Sequence, residues 1–187
     1  TLVQVLREKF KKDEFREGQE AAIRRVLQSQ STLLILPTGG GKSLCYQYPS
    51  LVAKSGITLV VSPLLSLMAD QLSRLPPGLI GVTLSSNMSD SAAKRSIELL
   101  RNGHARILFI SPEKLASKPF LNMFAELKLS INLLCVDEAH CISTWSHNFR
   151  PAYLSIYQHA VTQLGAKCVL ALTATATSAT ADSICQQ

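Results

Sequence analysis

The chain is poor in aromatic residues (6%, with one tryptophan) and in charge (17%), and no apolar run approaches the ~20 residues that a membrane-spanning helix needs. Its longest apolar runs are of strand length, so no membrane partner is expected. The five cysteines (Cys45, Cys135, Cys141, Cys168, Cys185) are odd in number and include no C-x-x-C pair, which argues against a disulfide framework and for a reducing compartment. Cys135 and Cys168 fall inside apolar strand patterns and read as small core residues. Cys141 with His140 and His147 lacks the second ligand pair that a zinc site would want. There is no basic-plus-apolar leader, and the chain opens on Thr1 rather than Met, so it reads as a piece of something longer. L-S-G-G-Q and N-K-x-D elements are both missing, which disfavours a transporter ATPase and a small GTPase.

What is present is a 187-residue chain that is 47% apolar, enough for one domain with a full core. Lysine and arginine outnumber aspartate and glutamate by 19 to 13, and the resulting +6 suits a polyanionic partner. The charge is spread rather than clustered, and residues 7 to 25 mix both signs as an exposed helical face does.

The stretch Leu33-Leu34-Ile35-Leu36-Pro37-Thr38-Gly39-Gly40-Gly41-Lys42-Ser43 runs a buried-strand pattern into a glycine loop ending in Lys-Ser. Such a loop holds phosphates: its backbone N–H groups and the next helix's N-terminus face the anion, the lysine reaches the outer phosphates, and the serine hydroxyl ligates Mg²⁺. Only the G-K-S half of the strict pattern G-x-x-x-x-G-K-[ST] is met, because Leu36 stands where a glycine is wanted. A second apolar run, Ile131 to Val136, ends in Asp137-Glu138-Ala139-His140. Strand tips of a parallel sheet deliver side chains to the crevice at their carboxyl ends. Asp137 is therefore expected to hold the Mg²⁺ shell, and Glu138 to orient and deprotonate a water.

Six apolar runs (Ser31 to Leu36, Ile57 to Val61, Ile80 to Leu84, Arg106 to Ile110, Ile131 to Val136, Lys167 to Leu172) alternate with segments of helical length. Leu44 to Val52, Leu64 to Leu75, Ser91 to Arg101 and Pro151 to Leu164 read as helices. The alternation predicts an α/β fold with a mostly parallel central sheet, helices on both faces and right-handed connections. Residues 1–30 read as a helical lead-in docked by Phe10 and Phe15, and residues 31–187 as one nucleotide-binding lobe.

Taken in order, these motifs resemble the first RecA-like motor lobe of a RecQ-family DNA helicase of superfamily 2. Phe15-Arg16-Glu17-Gly18-Gln19 resembles the family's motif 0, Leu36 to Ser43 with Leu44 to Gln47 motif I, and Val60 to Gln71 motif Ia. Ile110 to Leu115 resembles motif Ib, Asp137 to His140 is the DEAH form of motif II, and Leu172 to Thr177 resembles motif III. Cys141 to Tyr153 resembles the aromatic-rich loop that marks the family, with Ser146 and Asn148 where glycine and aspartate are usual. That variant is similar to the Rothmund–Thomson type and to some plant members, which favours a eukaryotic, nuclear protein over a bacterial or organellar one.

The resemblance implies ATP and Mg²⁺ as cofactors, single-stranded and duplex-junction DNA as partners, and 3′ to 5′ unwinding. It also implies a second motor lobe with an arginine finger and a zinc-binding module, neither of which this sequence includes. The lobe alone is thus expected to bind nucleotide weakly and not to unwind DNA. Lys42, Asp137, Glu138 and His140 take the catalytic roles; Arg16, Gln19, Thr38, Gly39, Gly40, Gly41, Lys42 and Ser43 bind the nucleotide, with Gln19 reading the adenine edge; Ser43 and Asp137 hold the metal. Ser62, Pro63, Ser66, Ser111, Trp145, His147, Phe149 and Arg150 are the expected nucleic-acid contacts, the aromatics as stacking faces for unpaired bases. Turn and cap roles explain the serines as economically, and packing explains Trp145. Thr173 and Thr175 either sense the terminal phosphate through Asp137 and His140 or cap a helix. An RNA helicase lobe and a scaffold with a vestigial ATPase are the competing readings.

Overall fold

The computed structural model describes residues 1–143 and 148–186. In chain order the elements are α1 (Leu2–Phe10), α2 (Gln19–Leu27), β1 (Thr32–Ile35), α3 (Leu44–Val52), β2 (Ile57–Val61), α4 (Leu65–Ser73), β3 (Ile80–Leu84) and α5 (Asp90–Arg101). There follow β4 (Ala105–Ile110), α6 (Pro112–Leu115), α7 (Lys118–Leu127), β5 (Ile131–Val136), β6 (Val169–Thr173) and α8 (Ser178–Cys185). The strands form one sheet in the order β1-β6-β5-β2-β4-β3, with every neighbouring pair parallel.

Strands buried on both faces read as continuous apolar runs, and here successive residues feed two different cores. Leu59, Val61, Leu108, Ile110, Leu134 and Val136 point into one; Val60, Ile107, Phe109, Leu133, Cys135 and Leu172 point into the other. Residues of α1, α2, α3 and α4 close the second core, whereas α5, α6, α7 and α8 close the first. This is the three-layer α/β arrangement that the alternation of runs predicts, with the six-stranded parallel sheet as its middle layer. Among the described residues no helix is long and apolar enough to cross a membrane.

In the lead-in, Phe10 stacks on Tyr48 of α3 with ring centroids 5.7 Å apart, and Phe15 tilts against the same ring at 6.0 Å. The Tyr48 hydroxyl donates to the Leu2 carbonyl, so α1 is held on the lobe by one aromatic cluster. The segment expected as a single helix over 151–164 is instead a 3-10 turn at Pro151–Ser155 and a wide π turn at Gln158–Gln163. The widened turn lets Ile156 and Ala160 both reach the core before the chain reverses at Gly165, which sits at φ 71°. Three further helices, the short α6 and the longer α7 and α8, lie where the sequence pattern proposes none.

Candidate functional site

All strands of a parallel sheet point their carboxyl ends the same way, so the loops after β1, β2, β5 and β6 gather at one edge. Backbone bonds fix the gathering: Leu36 N donates to Thr173 O (3.1 Å), Asp137 N to Val61 O (2.9 Å) and Ser62 N to Ile110 O (3.1 Å). The glycine loop leaves β1 with Gly39 and Gly41 at φ 76° and 81°, backbone that favours glycine. A Cβ on Gly41 would also collide with the Gln19 amide. Lys42 folds back along this loop, its Nζ donating to Leu36 O at 3.0 Å and Pro37 O at 3.5 Å. Ser43 opens α3 and donates its hydroxyl to Gln71 Oε1 at 2.7 Å.

Across the crevice, β5 delivers Asp137, which is only 6% exposed. Its Oδ1 accepts from Glu138 N (3.0 Å) and its Oδ2 from Ser62 Oγ (3.5 Å). Burial, then the adjoining Glu138 charge, push the Asp137 carboxyl up from its ordinary 3.8 to about 6, and the Lys42 ammonium is near enough to pull the other way. Lys42 and Asp137 therefore stand within electrostatic reach of one another at the same sheet edge. A buried carboxylate short of counter-charge, with a serine hydroxyl and a lysine at the same edge, fits a divalent cation held partly by phosphate oxygens.

That raised value has a consequence for stability with a definite sign. From about pH 4 to 6 the folded chain keeps a proton that the unfolded chain has released, so the contribution favours folding at low pH and is lost as pH rises through 6. The loss is on the order of 3 kcal/mol. Asp137→Asn is expected to flatten this part of the profile and to stabilise the ligand-free chain near neutral pH. Urea midpoints of parent and variant that fall in parallel over that window would refute it.

Glu138 adopts φ 51°, a left-handed backbone rare for a side chain of its size, and this turns its carboxylate out of the strand toward His140. His140 Nδ1 stands 3.3 Å from Glu138 Oε2 and 3.0 Å from Thr173 Oγ1. The Thr173 hydroxyl spends its proton on Thr175 O (2.9 Å), so its oxygen accepts from His140, which places the imidazole hydrogen on Nδ1. Thr173 thus belongs to a chain running Thr175, Thr173, His140, Glu138. Thr175 enters it only through its carbonyl; its side chain is exposed.

Several expected contacts are arranged differently. The Gln19 amide, 2% exposed, accepts from Arg16 N (2.9 Å) and donates to Gly40 O (3.2 Å) and Gly41 O (3.0 Å). The amide's donors thus go to the glycine loop and its oxygen to the Arg16 backbone, and the Arg16 side chain also donates to Gly39 O. Thr38 is exposed at the mouth of the loop. Ser62, placed by its motif on the nucleic-acid face, is 1% exposed and turned inward to Asp137, so it supports the acid instead. Ser111 accepts from Lys114 N and caps α6. Ser66 remains exposed in the first turn of α4. Arg150 donates to Pro63 O at 3.0 Å, and a cavity of about 440 Å³ runs from Glu138 and His140 past Arg150 and Phe149 to Pro63 and Leu64. Trp145 and His147 lie outside the described residues.

Two polar residues at the ends of their motifs are given no role of their own by the sequence pattern. Gln71 holds Ser43, and Tyr153, 1% exposed, donates its hydroxyl to the Asp137 carbonyl at 2.9 Å. Both look like ordinary helix residues in sequence, and only their position opposite the two motifs marks them.

A glycine phosphate loop and paired acids across one parallel-sheet edge define a P-loop nucleotide-binding lobe of the helicase kind. The chain belongs to the DEAD/DEAH box helicase family, whose model matches residues 16–184. Its relatives are RecQ-type helicases, and the match fits their first motor lobe. It is 50% identical over 92% of its length to ATP-dependent DNA helicase Q-like 5 of Arabidopsis thaliana, covering 19% of that protein. It is 46% identical over 92% of its length to ATP-dependent DNA helicase Q4 of Homo sapiens, covering 14%. With ATP-dependent DNA helicase RecQ of Bacillus subtilis the figures are 41%, 95% and 30%, so the chain spans less than a third of each of these relatives. Among solved structures, the DUF1998 helicase MrfA bound to DNA aligns over 97% of this chain and 25% of its own, at a TM-score of 0.68 and 18% identity. A hypothetical ATP-dependent RNA helicase from Sulfolobus tokodaii aligns over 99% and 53%, at 0.67 and 21%. At such identities these two speak for the fold alone.

Proposed function

We propose that this chain is the first motor lobe of a 3′ to 5′ DNA helicase that binds and hydrolyses ATP and contacts single-stranded DNA, in nuclear repair, recombination or replication. The observation that carries the reading is that Lys42 and Glu138 both act on the Asp137 carboxyl at one sheet edge, while Glu138 also lines the cavity that holds Pro63, Phe149 and Arg150. Mg²⁺, held by Ser43 and Asp137, would neutralise phosphate charge. Lys42 exchanges the Leu36 and Pro37 carbonyls for the outer phosphates, and the Gly39 to Gly41 backbone cradles them. Glu138 takes the proton of a water, and His140, pinned by Thr173, keeps that carboxylate in place. DNA on the Ser66, Phe149 and Arg150 side touches the same cavity as Glu138, which gives strand binding a route to hydrolysis.

The test is the ATPase of the full-length protein with single-stranded DNA, single-stranded RNA or neither. Stimulation by DNA at least tenfold above RNA is expected; equal stimulation would favour an RNA helicase, and no hydrolysis at all a scaffold. The 187-residue chain alone is expected to turn over far more slowly, because the second lobe completes the motor. A rate from the lobe equal to that of the whole protein would overturn that expectation.

A further inference from the structure

We propose that Gln71 is a positioning residue for the metal, orienting the Ser43 hydroxyl so that its lone pairs face the crevice. This rests on the nucleotide reading above and adds a residue to it. Gln71 lies on α4, half-buried, 28 residues from Ser43 in sequence. Its Oε1 accepts two hydroxyl protons, from Ser43 Oγ and from Tyr46 Oη, each at 2.7 Å. A carbonyl oxygen has two lone pairs, so both are occupied and the amide is pinned.

The consequence for Ser43 follows from its inventory of one proton and two lone pairs. With the proton committed to Gln71, the hydroxyl has only lone pairs left to offer a cation. Mg²⁺ takes oxygen lone pairs and demands near-ideal octahedral geometry, so a freely rotating hydroxyl must first be ordered whereas a tethered one need not. Tyr46 keeps the amide from turning: it is 1% exposed in the second core and its ring meets Phe109 edge-on at 6.2 Å. Partners of this kind, one bond behind a ligand, commonly contribute tenfold or more to metal affinity. The same α4 begins at Leu65 and Ser66, so the tether also joins the metal side of the crevice to the helix that carries an exposed nucleic-acid candidate.

The experiment titrates a fluorescent ATP analogue into the full-length protein in Mg²⁺ and again in EDTA, and reads the ratio of the two affinities as the metal gain. Gln71→Met keeps length and removes the acceptor; it is expected to cut the gain about tenfold while leaving the EDTA affinity within about twofold. Gln71→Glu keeps the acceptor at full reach and is expected to retain the gain. Should Gln71→Met fail to fold by circular dichroism, Gln71→Asn decides, since it withdraws the acceptor by one methylene and is expected to lose the gain as well. A parent gain that Gln71→Met, or in its place Gln71→Asn, keeps would overturn the proposal alone. A parent chain with no metal gain would overturn the nucleotide reading and this proposal together.

Discussion

Glu138→Gln in the full-length protein is expected to lower DNA-stimulated ATP hydrolysis by about 10² to 10⁴-fold, the usual contribution of a positioned general base, while nucleotide affinity changes little. The substitution keeps the side chain's size and puts a neutral amide in place of the carboxylate whose Oε2 stands 3.3 Å from His140 Nδ1. What it removes is the basic lone pair that takes a proton. Binding survives for an electrostatic reason. The Glu138 charge is one of the influences that raise the Asp137 carboxyl to about 6, so neutralising it lets Asp137 ionise more readily and makes it a better cation ligand at neutral pH. A variant that bound nucleotide as tightly as the parent and hydrolysed it within threefold of the parent rate would remove Glu138 from the chemistry.

Phe109→Ala is the largest stability change expected, a loss of about 3 to 5 kcal/mol, which is a large share of the 5 to 15 kcal/mol that holds a typical domain folded. Phe109 is 0% exposed in the interior strand β4 and packs edge-on against Tyr46. Its removal leaves a void between the sheet and α3, the helix that Ser43 opens. Denaturant unfolding would show the loss directly, and a midpoint shift equivalent to less than about 1 kcal/mol would mean that the second core collapses around the gap. Because the void lies behind α3, weaker nucleotide binding should accompany the lower stability.

Much of this architecture was legible because parallel strands must be apolar on both faces. Ile57 to Val61 and Ile131 to Val136 stand out as runs with nothing polar enough to leave the core except Thr58, which bonds Ser50, and Asn132 at a strand start. The two motifs were legible for a chemical reason: phosphate binding wants glycines and a lysine, and metal binding wants a carboxylate at a strand tip. What was not legible depends on partners distant in sequence. Gln19 reads as a free amide until its glycine-loop partners, 21 and 22 residues away, come into view. Ser62 reads as surface because serine beside proline usually is, yet strand β2 ends deep enough to turn it onto Asp137. The α7 helix follows Ser117 with proline in its first turn, a good helix start in retrospect, but Phe120 and Phe124 look equally at home in a strand. The π turn at 158–163 has no sequence signal at all, since it is set by where Ile156 and Ala160 must land.

The order of the sheet fixes a dimension. Strand β6 stands between β1, which leads to the glycine loop, and β5, which carries the acids, so the two halves of the site are separated by two strand spacings, about 10 Å. Hydrogen-bonded strands do not slide apart or together by fractions of that distance, so the gap is a slot of fixed gauge. A ligand that bridges the glycine loop and the acids is expected to match that gauge, whatever side chains line it.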